Sequence, residues 1–469
     1  MTKVSLLRGR HGQQFLRYFQ TFHLLMSGIT MGLVLVLVGP TLLDLADILQ
    51  VSVRQITFVS FGCDLGAFIG SALALVIYKY VSAQKVLISS VLLIGISNIL
   101  IPNAGSPTTM AALTFCVGMS VGVVEIGAYI WIIGLWPDNV APITQMLHLA
   151  YGIGAFMSPL IAEPYLRHHE EDPDSLVFNS TEANKTEFLN DFLDGEFDNS
   201  SYVDYPPSLA TESRVYIPYA LIGAFALFNA GSILVSYCLD SRDIKPEEPA
   251  EEERAARKPT SKAFQWSLVS LVGFYIMVLV VLEVTVGKFL ATYVVQHFGL
   301  DRSIGAYLVS LFYIGFTSGR VVAVPLSLKF TPMQMMNAAQ ALLMASAVCL
   351  TVLDTNVNVL WICFFTLGLS MAPMFGCCTA WLSAHVTLSH DFMSVIMTIA
   401  TFGAIGPPLF VGSFIESHPY VLTYFILLAA VCVLVTAWSM GFVALIYHKR
   451  TYRRCPVDTN EELHKLSEA

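Results

Sequence analysis

Twelve apolar stretches occupy most of this 469-residue chain. Each reaches or nearly reaches the roughly 20 residues that an α-helix needs to cross a bilayer. Apolar residues make up 55% of the chain and charged residues 13%, about half the ~25% charged residues of ordinary soluble domains. The stretches predict an all-α, multi-pass membrane protein with helices over 18–43, 56–79, 84–102, 108–135, 143–165, 215–238, 264–296, 303–329, 332–353, 358–384, 391–415 and 420–447.

The second six stretches partly repeat the first six. Seven residues recur 249 or 250 positions later: Gly66, Gly70, Lys79, Gln84, Phe115, Gly118 and Ser120 return as Gly315, Gly319, Lys329, Gln334, Phe365, Gly368 and Ser370. Two homologous six-helix halves, related by an axis along the membrane normal, are an architecture of secondary transporters, whose substrate site lies near the bilayer midplane between the halves. The repeat therefore favours transport over a receptor or an enzyme.

The loops predict the topology. With both termini in the cytoplasm, 18 of the 25 Lys and Arg residues lie inside, five lie outside and two lie within spans, as the positive-inside rule requires. We expect a monomer, in the plasma membrane. The predicted segments are a cytoplasmic tail (1–17), an N-terminal bundle (18–238) with an extracellular loop (166–214), a cytoplasmic linker (239–263), a C-terminal bundle (264–447) and a second cytoplasmic tail (448–469).

Several classes of function are excluded or disfavoured. The chain has no basic stripe with interleaved aromatic residues, which argues against nucleic acid as a partner. It has no Gly-rich phosphate loop followed by Lys, so ATP binding is not indicated. The nine cysteines do not form a disulfide framework or a metal-ligand pattern. We therefore expect no enzyme activity and no cofactor, apart from Na⁺ or H⁺ as a coupling ion.

Glu125 is the strongest candidate site residue because ionisable groups inside a bundle are costly and commonly functional. Gly118, Gly122 and Tyr129 share its helical face by spacing. Glycines permit close helix approach, so we expect the carboxylate to face a cavity, where it could carry a proton or bind sodium. The alternative is a carboxylate that is hydrogen-bonded to a neighbouring helix for packing.

Glu283 in the seventh helix is the second candidate, for substrate or ion binding. Gly287 follows one turn later and could let the helix unwind, as the broken helices of transporters do. Lys288 lies on the wrong face for a local ion pair with Glu283, so we expect it to extend toward the outer surface.

Two polar stripes with the same spacing are expected to line the cavity or its inner vestibule. They consist of Gln20, His23, Ser27 and Thr30 in the first helix, and of Ser310, Tyr313, Thr317 and Arg320 in the eighth. Arg320 is better explained as a cytoplasmic gate or inter-helix clamp than as a substrate ligand. Asp44, nearer the outer side, is interpreted as a capping or gating residue.

Neutral hydrogen-bonding and aromatic side chains suit a hydroxyl-rich solute such as a sugar. Tyr129, Gln145, His148 and Trp381 are the candidates, with Trp131 and Tyr151 as further aromatic surfaces. Paired arginines that could hold an anion by two-point hydrogen bonding are lacking. The pattern favours a neutral polyol modestly.

The fourth and fifth helices contain GVVEIGAYIW (122–131) and QMLHLAYGIGAFMSPL (145–160). These segments resemble the sodium-dependent glucose transporter branch of the major facilitator superfamily, which is related to the fucose permeases. GPTLLDL (39–45) and EVTVG (283–287) are similar to that branch's first and seventh helices. The resemblance implies the major facilitator fold, with about 12 transmembrane helices in two six-helix halves. It also implies an ion-coupling role for Glu125, because its position matches the proton-site carboxylate of fucose permeases.

The expected function is movement of a small hydrophilic solute, a hexose such as glucose, by alternating access with sodium or proton coupling. One alternative is a facilitator or symporter for another solute, such as a monocarboxylate or a lipid-like substrate, which would depend on a cation near the cavity such as Arg320 or Lys288. The other is a membrane scaffold or sensor without transport, which would not need Glu125.

The extracellular loop yields a first prediction. It contains three acceptor sequons, at Asn179, Asn184 and Asn199, and glycosylation occurs on the lumenal side only. Changing all three residues to Gln should abolish the glycosidase-sensitive mass shift of protein from eukaryotic cells. Wild-type protein without such a shift would contradict the glycosylation of this loop.

Overall fold

A computed structural model describes residues 10–136, 140–167, 213–239, 262–353, 357–386 and 390–454. The three sequons and most of the predicted loop, linker and tails lie outside these ranges. The helices of the first half are α1 (Arg10–Leu49), α2 (Val53–Tyr80), α3 (Ala83–Leu100), α4 (Pro107–Leu135), α5 (Val140–Ala162) and α6 (Tyr216–Leu239). Those of the second half are α7 (Lys262–Phe298), α8 (Arg302–Ser327), α9 (Pro332–Val352), α10 (Val357–His385), α11a (His390–Gly403), α11b (Gly406–Phe414) and α12 (Val421–Arg454).

The all-α membrane fold predicted from the sequence is confirmed. Each of the twelve predicted helices corresponds to an observed one, with α11 in two parts. Eleven segments among the described residues are long and apolar enough to cross a membrane. The predicted helix over 391–415 is present with an interruption: it breaks after Gly403 and restarts at Gly406, where Pro lies in the first turn. Proline lacks the N–H that a continuous helix requires at this point.

The repeated glycines form equivalent helix crossings in the two halves. In the first half, a Cβ atom on Gly66 or Gly118 would collide with the backbone of the partner helix, so α2 and α4 are in direct backbone contact. In the second half, Gly315 and Gly368 bring α8 and α10 together in the same way. Small residues at such crossings allow the close van der Waals packing that stabilises helix pairs in lipid.

The two halves meet along a seam between α1 and α7, α2 and α11b, and α5 and α8. We call the end of the bundle where α1 ends and α2 begins the outer end; the charge bias predicts that it is extracellular. At the α1–α7 contact, a Cβ atom on Gly39 would overlap the carbonyl oxygen of Gly287. The expected unwinding of α7 at Gly287 is not observed, because α7 is one continuous helix. Gly287 instead allows close approach of α1 and of the Tyr313 hydroxyl.

This contact yields a second prediction. Gly39→Ala should lower the melting temperature of the purified protein, because the new methyl group must push α1 away from the α7 backbone; overpacking of this kind costs about 1–3 kcal/mol. Gly231→Ala in α6 is the matched control, because nothing lies within 4 Å of its Cβ position. Equal stability of the two variants would contradict the close α1–α7 contact.

Candidate functional site

A cavity of about 250 Å³ lies between the two halves. Its lining is mostly apolar and comes mainly from α1, α2, α4, α5, α7, α8, α10 and α11a, with Asn98 from α3. The ionisable side chains in it include Asp64, Glu125, Tyr129, His148, Tyr151, Glu283, Lys288, Tyr313 and Arg320. Four of the six predicted substrate ligands, Glu125, Tyr129, His148 and Glu283, thus line one cavity, together with the gate candidate Arg320.

Glu125 lies on α4 and faces this cavity. The α4 glycines before it, Gly118 and Gly122, contact the α2 backbone. They hold α4 close to its neighbour while Glu125, further along the helix, reaches the interior. Within the part of the chain that the structure describes, its carboxylate has no hydrogen-bond or ion-pair partner. The geometry therefore favours a functional carboxylate over one used for packing.

Glu283 on α7 faces two tyrosines of neighbouring helices. Tyr151 on α5 and Tyr313 on α8 both interact electrostatically with its carboxylate. Oε1 of that carboxylate is buried and has no hydrogen-bond partner among the described residues. Glu283 thus keeps one acceptor for a ligand.

Arg320 lines the cavity between the two halves. Its guanidinium stacks over the Phe316 ring, 4.5 Å from the centroid. Its Nε and Nη1 atoms are buried and lack a hydrogen-bond partner in the described ranges. It interacts electrostatically with Glu283 and Tyr151. The gate role stays a prediction, while this position supports a role inside the cavity.

Tyr129 and His148 form a polar pair between α4 and α5. The Tyr129 hydroxyl and His148 Nε2 are 3.1 Å apart. The His148 ring packs edge-on against Phe375 of α10, with 5.5 Å between centroids. A phenol, an imidazole and an aromatic face thus converge on one wall of the cavity.

Two predicted substrate ligands are not among the residues that line this cavity. Trp381 is buried in α10, with its ring centroid 4.3 Å from that of His385. Gln145 is exposed and lies next to Gly376 of α10. The structure does not bring either side chain together with Glu125. A spacing pattern identifies the face of a helix, but it does not show how far along the helix the cavity extends.

The expectation that the α1 stripe lines the cavity is wrong. Asn229 of α6 donates to Ser27 Oγ at 3.0 Å, and Ser232 of α6 lies 2.8 Å from His23 Nδ1. Gln20 and Thr30 are buried as well. The stripe packs α1 against α6, whereas the equivalent α8 stripe does contribute Tyr313 and Arg320 to the cavity.

The expected position of Lys288 at the outer surface is also wrong. Its ammonium lies 2.6 Å and 2.5 Å from the two carboxylate oxygens of Asp64 on α2. The two side chains are only 10% and 11% exposed. Because the partners are 224 positions apart and belong to different halves, no local spacing in the sequence could identify this ion pair.

A second group of charges crosses the seam at the outer end. Arg302 of α8 contacts Asp44 at 3.0 Å and Asp47 at 2.8 Å, both on α1. Arg167, which follows α5, donates from its backbone N–H to Asp44 at 3.0 Å. Asp44 is fully buried in this contact. The arrangement supports the predicted gating role of Asp44, and the sequence missed its partner Arg302.

Comparison with known proteins agrees with the fold. Residues 207–408 match the family model described as Major Facilitator Superfamily. The chain is 25% identical over 396 residues to sodium-dependent glucose transporter 1A of Mus musculus, covering 83% of this chain and 88% of that protein.

Solved structures show the same fold. A bacterial homologue of the human lysosomal transporter Spinster, in an inward-facing and unoccupied conformation, superposes with a TM-score of 0.61 at 12% identity, covering 92% of this chain and 98% of that one. A D-xylose–proton symporter gives a TM-score of 0.60 at 12% identity, covering 89% and 97%.

These findings define the fold class: the chain has the major facilitator fold, and residues 207–408 match the Major Facilitator Superfamily model. The chain is similar to the sodium-dependent glucose transporters, which points to a transporter and away from an enzyme.

The buried ion pair yields a third prediction. Lys288→Gln should lower the free energy of unfolding by about 3–5 kcal/mol, because it leaves Asp64 charged and unpaired in a dry site. Asp64→Asn combined with Lys288→Gln should recover most of this loss. Thermal melting in choline chloride measures the loss in the single variant and its recovery in the double variant. Lys329→Gln is the control, because Lys329 is exposed. A single variant as stable as the double variant would contradict the ion pair.

Proposed function

We propose that this transporter moves a hexose by alternating access and couples that movement to an inward gradient of Na⁺ or H⁺. The supporting observation is the charge balance of the cavity. Three carboxylates line it, and Lys288 neutralises Asp64 while Arg320 faces Glu283. In the described part of the chain, Glu125 is the carboxylate without a cationic side chain beside it. A transported cation that binds there would neutralise its charge.

The remaining polar groups suit an uncharged, hydroxyl-rich solute. Tyr129, His148 and Tyr151 offer donors and acceptors on one side, and Phe375 and Phe316 offer apolar surface for C–H faces. The cavity is somewhat smaller than the ~300–1,000 Å³ pockets of drug-sized ligands, which suits a small solute. The name of the murine relative and that of the xylose symporter support a sugar.

Coupling requires that the cation and the solute each favour binding of the other. Glu125 and Glu283 are close enough to repel one another electrostatically. A cation bound at Glu125 relieves this repulsion and leaves Glu283, Tyr151 and Arg320 free to hold sugar hydroxyls. The solute therefore binds best when the cation is present.

A fourth prediction tests this role. Glu125→Gln keeps the shape but removes the charge, so gradient-driven accumulation of the hexose should fall by about tenfold or more, which corresponds to about 1.4 kcal/mol of coupling. Counterflow exchange, which needs no net ion movement, should persist. Glu416→Gln is the matched control, because Glu416 is exposed after α11b. Normal accumulation by Glu125→Gln would contradict the coupling role and indicate that Glu125 has a packing role.

A monocarboxylate is the second candidate solute, and Arg320 is the observation that favours it. Its buried Nε and Nη1 atoms lack hydrogen-bond partners among the described residues, and a carboxylate could accept a charge-assisted hydrogen bond from either. Competition between hexoses and monocarboxylates for uptake distinguishes the two. A hexose carrier should be inhibited by sugars, and a monocarboxylate carrier by small organic acids.

A further inference from the structure

The Asp64–Lys288 pair has an arrangement that the hexose site does not explain. The ammonium contacts both oxygens of one carboxylate, as a bound metal cation would. The carboxylate belongs to the first half of the transporter and the ammonium to the second. Both groups line the central cavity, so the carboxylate would face the cavity if the ammonium moved away.

The pair lies at the part of the seam that has to open. Lys288 follows Gly287, whose carbonyl contacts Gly39 of α1, and the Cβ position of Gly39 is 3.4 Å from the Lys288 Cα. Opening the outer end requires α7 to separate from α1. Because Lys288 belongs to α7 and Asp64 to α2 of the other half, such a movement would separate the ion pair.

Asp64 has further oxygen atoms beside it. Ser60 lies one turn earlier on the same face of α2 and also lines the cavity. Its hydroxyl donates to the Thr57 carbonyl at 2.9 Å, so its lone pairs are free to accept. Hard cations bind to oxygen ligands of this kind. A carboxylate inside the membrane needs a positive partner, and water at an open outer end can supply Na⁺.

We propose that Asp64 is a second Na⁺ site, distinct from Glu125, that Lys288 covers when the outer end is closed. Opening withdraws Lys288, and Na⁺ takes its place. Closing returns the ammonium to Asp64 and displaces the ion toward the cavity, so Lys288 acts as a tethered competitor of Na⁺. This inference rests on the alternating-access part of the proposed function, and it depends on neither the identity of the solute nor a role for Glu125.

The test uses the purified full-length protein without solute. Binding of radioactive sodium and melting temperature are compared in NaCl and choline chloride at constant pH, since a ligand that binds only the folded state raises stability. Removal of the competitor in Lys288→Gln should raise the apparent Na⁺ affinity about tenfold or more. The gain should disappear in Asp64→Asn/Lys288→Gln and be absent in the control Lys329→Gln.

Three results would overturn the proposal: unchanged Na⁺ affinity in Lys288→Gln, a gain that survives removal of Asp64, or a response to pH with none to Na⁺. If Lys288→Gln does not fold, the wild type is compared with the charge-neutral double variant at saturating Na⁺. The wild type should then bind more sodium, and equal binding would contradict the site.

This design tests ion coupling at Glu125 and Na⁺ binding at Asp64 independently of one another. The difference in Na⁺ binding between the wild type and Glu125→Gln reports on the first cation site. Lys288→Gln against Asp64→Asn/Lys288→Gln reports on the second, and the same comparison in a Glu125→Gln background should give the same difference. If the protein binds Na⁺ at Asp64 but transports no hexose, the second-site proposal stands and the hexose proposal is wrong.

Discussion

The structure depends on one constraint: a charge buried in the membrane interior needs a partner of opposite sign. Three carboxylates and two cationic side chains line the cavity between the halves. The Asp64–Lys288 pair joins one half to the other, and Arg302 with Asp44 does the same at the outer end. These contacts join the two halves, and they leave Glu125 without a cationic partner among the described residues, which is why we propose it as the ion site.

Packing within each half differs from packing between the halves. Inside a half, glycines such as Gly118 and Gly368 place helix backbones in contact along the α2–α4 and α8–α10 crossings. Such contacts are made by complementary shape and cannot be exchanged for water. At the seam, Gly39 and Gly287 make a similar close contact, but ion pairs such as Asp64–Lys288 also join the halves, and an ion pair can be replaced by solvated ions. Under the proposed alternating access, the halves would move as rigid units while the seam opens and closes.

Much of this could be predicted from the sequence because it is local. Helix positions follow from apolar length, and the cavity positions of Glu125 and Glu283 follow from the cost of an ionisable group in a span. Close helix approach is predicted at Gly118 and Gly122, and both contact α2. The ion-pair partners of Lys288 and Asp44 could not be predicted, since Asp64 and Arg302 lie more than 200 residues away and on the other half.

The errors have the same origin. The α1 stripe contains the same kinds of side chain as the α8 stripe, yet it packs against Asn229 and Ser232 of α6. Periodicity shows that a face is polar without showing which neighbour it meets. Trp381 was a reasonable sugar platform by composition, but it packs away from the cavity, against His385.

The central claim is that the cavity couples a small solute to a cation gradient. The most direct measurement is uptake of a panel of radiolabelled hexoses and monocarboxylates into proteoliposomes that carry the purified protein, under imposed Na⁺ or H⁺ gradients. The account predicts that at least one hexose accumulates above its external concentration, and that an ionophore for the coupling ion abolishes the accumulation. Equilibration of every solute without regard to either gradient, or no uptake at all, would contradict it.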